Sequence, residues 1–476
     1  MPTNAILVFI RATTISKPAL AGTADFMHGM KNMSQDLQVI IGLGVTAVSC
    51  ARFLTQQNIS IAVTDTRQNP PSLAEFKQTY PHVPVSLGQL DENMLAKAVK
   101  LIVSPGISVR EPAIMRQGTR GIPIVGDIEL FAHEARAPVI AITGTNAKST
   151  VTTLVGKMAA MAGLQAQVGG NLGTPALDLL TTPAPQLFVL ELSSFQLETT
   201  NSLAPRVAAL LNVTPDHMDR YANLQEYQLA KQRVYSNCEV AVCNRDDPFT
   251  DCGDRYSQRK LQFTLQLPRQ DEFGLLNKKG EMYLAFEDQA LMPVRELPIL
   301  GRHYQANALA ALAIGYGFGL PMEPMLKTLV EFKGLEHRCQ LVRERNSVTW
   351  YNDSKGTNVG ATLAAVNGLG SEIDGKLILI AGGVGKNADF TPLVPAIAKY
   401  VRRTILIGEA ASVLAEVLSD RVEICFADSM EEAVVLSDQY ALPGDSVLLS
   451  PACASFDMFN NFEHRGDVFT KAVQAL

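Results

Sequence analysis

Residues Val139–Thr150 read V-I-A-I-T-G-T-N-A-K-S-T, and this stretch decides the class of fold. The apolar run Val139–Ile142 predicts a buried parallel strand, and the residues from Lys148 onward predict a helix. The loop Thr143–Thr150 between them brings backbone N–H groups, a lysine and hydroxyl side chains to a helix N-terminus, where anionic oxygens are stabilised. A strand, a glycine-containing loop and a helix in this order predict a phosphate-binding site, with Lys148 on the phosphates and a loop hydroxyl on Mg²⁺.

Alternating strand and helix patterns continue on both sides of this loop. The upstream βαβ pattern consists of a strand at 37–41, the turn Gly42-Leu43-Gly44, a helix at 46–57 and a strand at 59–64. Downstream, two apolar runs predict buried parallel strands: Leu187–Leu192 and Val207–Leu211. A third set of strands, which alternate with helical stretches, comprises Val348–Tyr351, Lys376–Ala381, Arg403–Ile407 and Val447–Leu449.

This alternation predicts an α/β protein with parallel, doubly wound sheets. The 476 residues of the chain correspond to three domains at roughly 150 residues each. We expect a Rossmann-like N-terminal domain, a central P-loop-type ATPase domain and a Rossmann-like C-terminal domain. The expected bounds are a disordered extension at 1–32, followed by domains at 33–126, 127–334 and 335–476.

The composition excludes several classes of protein. A net charge of -6 provides no basic field for nucleic acid. No run reaches the ~20 apolar residues of a membrane span, and the shorter run Asn307–Leu320 predicts a buried helix. The seven cysteines form no C-x-x-C pair, so neither a disulfide framework nor a structural zinc site is indicated. We expect a cytoplasmic, monomeric protein without a signal peptide.

Two polar residues beyond the loop are candidates for metal binding. Glu191 ends a buried strand, at the edge of the sheet where α/β proteins bind ligands. His217 follows Asp216 in a loop just after the next strand. Each could equally be a structural residue, but their place beside a phosphate loop favours a metal site. Lys231 lies on a predicted helix, and on sequence alone it is interpreted as a solvated lysine.

The phosphate loop resembles the T-G-T-N-G-K-[ST] loop of the Mur ligase superfamily, which includes the folylpolyglutamate synthetases. Further similarity lies at G-L-E-H-R (334–338) and N-D-S-K-G-T-N-V-G (352–360), and the resemblance extends from Met33 to the C-terminus. Ala147 stands where the family usually has glycine. If that position requires φ > 0, alanine costs about 1 kcal/mol in strain. Tyr304 and Val384 also depart from the family pattern, which has asparagine and aspartate there.

The resemblance implies an ATP site and two Mg²⁺ ions. The implied ATP-binding residues are Gly144, Thr145, Asn146, Ala147, Lys148, Ser149, Thr150, Asn307, Arg338 and Asp353. The implied metal ligands are Ser149, Glu191, His217 and Lys231, the lysine as a carbamate formed from CO₂, whose oxygens suit a hard cation. The implied catalytic residues are Lys148, His217, Lys231 and Lys355.

The resemblance also implies two further substrate sites. The residues implied at a UDP-linked substrate are Gly44, Val45, Thr46, Asp65, Thr66, Ser104, Pro105, Gly106, Asn171 and Ser193. The segments G-G-V-G-K-N-A-D (382–389) and S-P-A-C-A-S-F-D-M-F-N-N-F-E-H-R-G (450–466) are similar to the D-glutamate-adding branch of the superfamily. They imply a D-glutamate site formed by Thr357, Lys386, Ser455 and Phe462.

The implied activity is an ATP-dependent ligase that adds D-glutamate to UDP-N-acetylmuramoyl-L-alanine through an acyl phosphate. This reaction belongs to peptidoglycan precursor synthesis, on which the cell wall, cell shape and cell division depend. A folylpolyglutamate synthetase would lack the UDP-binding first domain. A nicotinamide-dependent dehydrogenase built on Gly42-Leu43-Gly44 would leave the phosphate loop unexplained. A catalytically inactive binding protein would not need Lys148, Glu191, His217 and Lys231 together.

Overall fold

The computed structural model describes residues 37–253, 257–299 and 301–476. The expected extension at 1–32 lies outside the described residues. Three sheets follow one another along the chain, of five, nine and six strands. The predicted α/β class is confirmed, since each sheet consists mainly of parallel strands that alternate with helices. The predicted boundaries at 126/127 and 334/335 lie between consecutive sheets, and they stay predictions.

The first sheet is parallel throughout. Its strands are β1 Gln38–Ile41, β2 Ile61–Asp65, β3 Val85–Leu87, β4 Lys100–Val103 and β5 Ile124–Val125, and its helices are α1 Val45–Gln56, α2 Leu73–Thr79, α3 Glu92–Ala96 and α4 Pro112–Thr119. The strand order is β3-β2-β1-β4-β5. The order reverses at β1, so a ligand crevice is expected at the carboxyl ends of β1 and β4.

The central sheet has the order β14-β13-β12-β11-β10-β9-β6-β8-β7. Its strands are β6 Val139–Thr143, β7 Ala166–Gly170, β8 Leu187–Glu191, β9 Val207–Leu210, β10 Cys238–Asn244, β11 Ser257–Phe263, β12 Glu272–Lys278, β13 Glu281–Phe286 and β14 Gln289–Pro293. The helices of this region are α5 Asp127–Glu134, α6 Lys148–Met161, α7 Ser194–Glu198, α8 Leu224–Gln232, α9 Arg302–Phe318 and α10 Met322–Glu331.

The central sheet is not purely parallel as expected, because β12, β13 and β14 form an antiparallel meander at one edge. Lys279 and Gly280 join β12 to β13, and both have positive φ, 56° and 86°. Positive φ at both residues of a two-residue turn suits the twist of a hairpin. The lysine at the first position gives a weaker sequence signal than asparagine or aspartate would.

The third sheet has the order β15-β16-β20-β17-β18-β19, and only β15 runs antiparallel to its neighbour. Its strands are β15 Gln340–Arg345, β16 Val348–Asn352, β17 Leu377–Gly382, β18 Val401–Ile407, β19 Glu423–Phe426 and β20 Ser446–Leu449. Its helices are α11 Val359–Gly370, α12 Val394–Tyr400, α13 Ala411–Leu418, α14 Met430–Tyr440 and α15 Phe462–Ala475.

The predicted buried helix is α9, which begins five residues earlier than the apolar run suggested. It packs with α6 on one face of the central sheet, in a core that includes Leu309, Leu312 and Ile314. Among the described residues, no helix is both long enough and apolar enough to cross a membrane.

Three side chains that the sequence left unconnected lie together beside β10. Cys243, Asp251 and Cys252 bring their ligand atoms within 4.8 Å of one another. The Tyr235 hydroxyl donates to Cys243 Sγ at 3.3 Å, and Lys260 forms an ion pair with Asp251. Because these groups already have partners within the protein, the cluster is not assigned to a metal.

Candidate active site

The phosphate loop joins the end of β6 to the start of α6. Ala147 precedes the helix with φ 65°, in the left-handed region. The condition for strain at this alanine is therefore met. The loop is fixed against the segment that follows β9: the Asn146 N–H donates to Asn212 Oδ1 at 2.8 Å, and the Thr214 N–H donates to Thr145 Oγ1 at 3.0 Å.

Two lysine amines bind carbonyl oxygens of this loop. Lys148 Nζ donates to the carbonyls of Gly144 and Thr145, both at 2.9 Å. Lys231 Nζ donates to the Gly144 carbonyl at 2.7 Å. Burial lowers the pKa of Lys148 from its ordinary value, and the nearby Glu191 carboxylate opposes that shift. Two amines, one from α6 and one from α8, therefore bind the backbone of the phosphate loop.

The sequence-only interpretation of Lys231 as a solvated lysine is wrong. The residue is 1% exposed, and its Nζ lies 4.6 Å from the centre of the Tyr227 ring. Burial lowers the pKa of Lys231 well below its ordinary value, and the neighbouring Lys148 lowers it further. Helix α8 is mostly polar, so its own pattern gives no indication that this position meets the phosphate loop.

The side chain of Glu191 has one carboxylate oxygen that is available to bind a metal ion. The residue ends β8 and is 2% exposed. Its Oε1 accepts from Asn171 Nδ2 at 2.6 Å, whereas its Oε2 is buried without a hydrogen-bond partner among the described residues. A buried carboxylate oxygen in that state is stabilised by a cation. The site therefore fits a divalent metal ion.

His217 and Ser149, two further predicted ligands, line the same cavity as Glu191. His217 adopts φ 57°, and its Nε2 lies 3.8 Å from Asp216 Oδ2. Burial lowers the pKa of His217, which favours the neutral imidazole that ligates metals. Ser149 Oγ accepts from Arg338 at 2.7 Å. Arg338 approaches from beyond the central sheet, so the loop is in contact with the region that leads into β15.

These groups line one cavity of about 290 Å³. Five basic residues and two acids line it, from segments widely separated in sequence: Lys148, Glu191, Asp216, Lys231, Arg338, Lys355 and Lys386. Thr357 also lines it, as do Asn171 and Ser193. The central region contributes both acids and two of the lysines, and the segments after residue 334 contribute the other three basic residues. A concentration of positive charge around a small cavity suits anionic groups that must approach one another.

A second cavity, of about 300 Å³, adjoins the phosphate loop on its other side. The predicted ATP-binding residues that line it are Asn146, Ala147, Thr150, Asn307, Arg338 and Asp353. Burial raises the pKa of Asp353 to about 6, and its carboxylate accepts from Ser450 Oγ at 2.7 Å. Tyr304 is 2% exposed and lines this cavity too. The volume has an apolar part beside α11, where a base could bind.

A third cavity, of about 560 Å³, lies at the carboxyl ends of β1 and β4. The predicted UDP-substrate residues that line it are Gly44, Val45, Thr46, Thr66, Ser104, Pro105, Gly106 and Asn171. Asp65 does not line it, because its carboxylate accepts from the Leu43 N–H at 2.7 Å and pairs with Arg67. Arg67 does line the cavity. Sequence reasoning missed it, because an arginine after a strand is common on any surface.

Ser193 lies apart from the third cavity. Its hydroxyl caps α7 by accepting from the Gln196 N–H at 3.2 Å, and the residue faces the central cavity instead. Asn171 lines both cavities, so the two spaces meet at this residue.

The predicted D-glutamate residues divide into two groups. Thr357 and Lys386 line the central cavity, whereas Ser455 and Phe462 line none of the three cavities described above. Ser455 is 2% exposed, and it follows Ala454, which forms a backbone bridge with Val384. The Phe462 ring lies 3.6 Å from Lys355 Nζ.

Arg465 holds the surrounding loops together. It is 1% exposed, and its guanidinium donates to Ser354 Oγ at 3.0 Å, to the Ser354 carbonyl at 2.8 Å and to the Cys453 carbonyl at 3.1 Å. This arginine belongs to the sequence motif at 450–466, and that motif predicts no role for it. Its partners are neutral oxygens, so its function here is to fix the loop that carries Lys355.

The chain matches three family models in succession. They are the MurD-like N-terminal domain of Mur ligases at 36–126, the Mur ligase middle domain at 142–315 and the Mur ligase glutamate ligase domain at 337–453. Each matched segment contains one of the three sheets or most of it.

Similar proteins cover nearly the whole chain. A UDP-N-acetylmuramoylalanine--D-glutamate ligase of Pseudomonas savastanoi pv. phaseolicola is 53% identical over 93% of this chain and 99% of its own length. The enzyme of that name from Coxiella burnetii is 50% identical over 93% of this chain and 100% of its own. Among solved structures, the UDP-N-acetylmuramate-alanine ligase of Thermotoga maritima aligns with a TM-score of 0.58 at 16% identity, over 92% of this chain and 99% of that one, which supports the fold alone. On the family models and these relatives, the chain belongs to the Mur ligase family.

Proposed function

We propose that this protein is an ATP-dependent ligase that adds D-glutamate to UDP-N-acetylmuramoyl-L-alanine in peptidoglycan precursor synthesis. The structural observation that carries the proposal is the central cavity, where cationic side chains of two sheets surround the orphaned Glu191 oxygen. The names of relatives that are 50–53% identical over 93% of the chain support the choice of substrates.

The proposed reaction has two steps. The L-alanyl carboxylate attacks the γ-phosphorus of ATP, which forms an acyl phosphate and releases ADP. The amine of D-glutamate then attacks the acyl carbon, and the tetrahedral intermediate collapses with loss of phosphate. Both steps bring together groups that carry negative charge, so positioning and charge stabilisation supply most of the rate enhancement. We assign that stabilisation to Lys148, Arg338 and Lys355, which line the central cavity.

We propose that Ser149, Glu191, His217 and carbamylated Lys231 hold two Mg²⁺ ions. Bound Mg²⁺ would neutralise phosphate charge and orient the γ-phosphoryl group. The orphaned Glu191 oxygen and the neutral imidazole of His217 fit this role. The buried amine of Lys231 fits carbamylation, since CO₂ reacts with a neutral amine and the lowered pKa favours that form.

We assign the two remaining cavities to the nucleotides. The cavity beside Asn307 and Asp353 is the proposed site of the adenosine of ATP, since it adjoins the phosphate loop. The cavity at β1 and β4 is the proposed site of the UDP group, and Asn171 connects it to the central cavity. This arrangement brings the alanyl end of one substrate to the γ-phosphate of the other. We propose a cytoplasmic enzyme, in line with its nucleotide substrates, and we propose that it is a monomer.

Lys386 is the proposed partner of a D-glutamate carboxylate. Replacement Lys386→Ala should raise the KM for D-glutamate about ten- to hundredfold, the effect of losing a charge-assisted contact. The KM for ATP should change little, and Lys471→Ala at an exposed position of α15 serves as the matched control. Equal increases in both KM values would contradict the assignment of this pocket.

A phosphate-release assay tests the proposed function directly. The full chain would be supplied with ATP, Mg²⁺ and UDP-N-acetylmuramoyl-L-alanine, and with D-glutamate, L-glutamate, meso-diaminopimelate or L-lysine in turn. We expect phosphate release with D-glutamate only, and a product heavier by one glutamyl group. Release with another amino acid in preference to D-glutamate would overturn the proposed specificity, and no release with any of them would overturn the ligase activity.

A further inference from the structure

The side chain of Asn358 joins the two halves of the candidate active site. Asn358 directly precedes α11 and follows Thr357, which lines the central cavity. Its Nδ2 donates to Oδ1 of Asn146 in the phosphate loop and to Oδ2 of Asp216, each at 3.1 Å. One carboxamide therefore connects the segment proposed to bind the amino acid with two loops of the central sheet.

The contact is close and protected from solvent. Asn146 Nδ2 lies 3.5 Å from Asn358 Oδ1, so the two amides face each other. A Cβ atom at Gly360 would lie 2.9 Å from Thr214 Oγ1 and 3.5 Å from Asn146 Nδ2, and the absence of one lets α11 approach. Asn358 is 9% exposed. Hydrogen bonds shielded from water in this way are more effective at fixing geometry than surface contacts.

The two loops that Asn358 reaches are those on which the chemistry depends. Asn146 lies two residues before Lys148, and its N–H is fixed by Asn212. Asp216 directly precedes His217, whose imidazole faces the central cavity. A displacement of α11 relative to these loops would move the amino-acid segment away from the phosphate loop and the proposed metal site at the same time.

The oxygen and the nitrogen of the Asn358 carboxamide make different contacts. Oδ1 accepts from the Ala361 N–H at 2.9 Å and so caps α11, while Nδ2 makes the bonds to Asn146 and Asp216. Serine and aspartate cap helices about as well as asparagine. Neither has an amide donor, so substitution by either separates the cap from the link.

We propose that Asn358 is a positioning residue of the ligase reaction, which sets the phosphate loop and the Asp216–His217 loop against the amino-acid-binding segment. The inference rests on the proposed function for its catalytic consequence. The link itself is a property of the unliganded chain and can be measured without any substrate.

The experiment compares the full-length variants Asn358→Ser, Asn358→Asp and Asn358→Ala with the wild type. Ser429→Ala is the matched control, because Ser429 caps α14 by accepting from the Glu432 N–H at 3.1 Å and lies outside the three cavities. Hydrogen–deuterium exchange of unliganded protein is followed in peptides that cover 143–150 and 212–218. The kcat and the KM for each substrate, and the melting temperature, are measured on the same preparations.

We expect Asn358→Ser to lose less melting temperature than Asn358→Ala, since serine retains the cap, and Asn358→Asp to lose more than Asn358→Ser, because its carboxylate would face that of Asp216. Both loops should exchange faster in these variants but not in Ser429→Ala. The kcat should fall about tenfold or more, the effect of losing a hydrogen bond to a charged partner, while the KM for the UDP substrate stays unchanged. Asn358→Ala should have the larger decrease in melting temperature relative to Asn358→Ser, because it also removes the cap of α11.

Unchanged exchange in both loops, or a kcat of Asn358→Ser close to that of the wild type, would overturn the inference and leave Asn358 with the role of a helix cap. A wild-type chain that releases no phosphate with D-glutamate would overturn the proposed function instead. The exchange measurement would then still decide whether the link exists.

Discussion

Ala147 has a backbone conformation that is uncommon for alanine, and Lys231 has a buried amine, which is uncommon for lysine. Ala147 has φ 65°, where an L-residue with a Cβ atom is strained. Lys231 has its amine buried against the Tyr227 ring and the Gly144 carbonyl. Strain and buried polar groups of this kind persist where the surrounding structure holds them, and they concentrate at functional sites.

Relief of the strain at Ala147 should stabilise the protein. Ala147→Gly should raise the free energy of unfolding by about 0.5–1 kcal/mol, since glycine adopts positive φ freely but gives a more flexible unfolded chain. Denaturant unfolding measures the change. Ala415→Gly within α13 is the control, and it should lower the free energy by a similar amount. A loss of stability in both variants would show that the backbone at Ala147 is unstrained.

Carbamylation of Lys231 predicts a dependence on CO₂. Lys231→Ala should be nearly inactive, and formate or acetate should partly restore phosphate release by occupying the vacated place. Lys231→Arg should stay inactive, because a guanidinium is neither carbamylated in this way nor able to ligate a cation. Wild-type activity should fall in CO₂-depleted, mildly acid buffer and recover with bicarbonate.

The matched control for Lys231 is Lys157→Ala, an exposed lysine of α6 whose loss should change little. If Lys231→Ala instead keeps nearly full activity in CO₂-free buffer, the carbamate is not required and the second metal ion must be held otherwise.

At the level of elements, α5 begins with a buried carboxyl group. Asp127 is 3% exposed; its Oδ2 accepts from Gln196 Nε2 of α7 at 3.0 Å, whereas its Oδ1 is buried with no hydrogen-bond partner in the described part of the chain. Burial raises the pKa of Asp127 to about 6 from 3.8. This hydrogen bond fixes α5 against α7, and Ser193 caps the N-terminus of α7. Near neutral pH the Asp127 carboxylate is a buried, uncompensated charge.

The sign of the pH dependence follows from that shift. A carboxyl group whose pKa is higher in the folded state than in the unfolded state stabilises the fold at low pH and loses this contribution as the pH rises through 6. Asp127→Asn should therefore be more stable than the wild type, by a margin that grows by about 2 kcal/mol between roughly pH 4.5 and 7 and then levels off. Urea unfolding across this range tests it, and a margin independent of pH would contradict the assignment.

At the scale of the whole molecule, the proposed substrates occupy three adjoining cavities that residues of different regions line. The cavity at the first sheet, the cavity beside α11 and the central cavity have different walls, and Asn171, Asn146 and Arg338 are among the residues that two of them share. Each sheet presents the carboxyl ends of parallel strands to this region, where α/β proteins bind ligands. The reaction proposed here requires all three to act together.

Because the cavities have different walls, we expect that one substitution can abolish the reaction of ATP without abolishing binding of the UDP substrate. Lys148→Ala should abolish phosphate release, because the amine that is proposed to bind the phosphates of ATP is lost. Binding of the UDP substrate, measured by calorimetry, should remain largely intact, since Lys148 does not line the cavity at the first sheet. Loss of both in a variant with an intact circular dichroism spectrum would count against separate sites.

The sequence by itself determined the features that depend on neighbouring residues. The strand, loop and helix around Thr143–Thr150 lie where the pattern predicted them, with β6 at Val139–Thr143 and α6 from Lys148. The positive φ that the sequence raised at Ala147 only as a condition for strain is present in the structure. Apolar periodicity and loop composition are local properties, so they identify elements and the α/β class directly. The meander of β12–β14 was missed because its turn signal is weak.

Only the tertiary structure decided which of these residues meet. Lys231 is buried because α8 lies against the phosphate loop, and no pattern within α8 indicates it. Asn146 and Asn358 are 212 positions apart, yet their amides are in hydrogen-bond contact. The roles of the individual site residues remain predictions, since they depend on ligands as well as on geometry. Burial, pKa shifts and partners arise from the packing of distant segments, so they follow from the assembled fold and not from any local stretch of sequence.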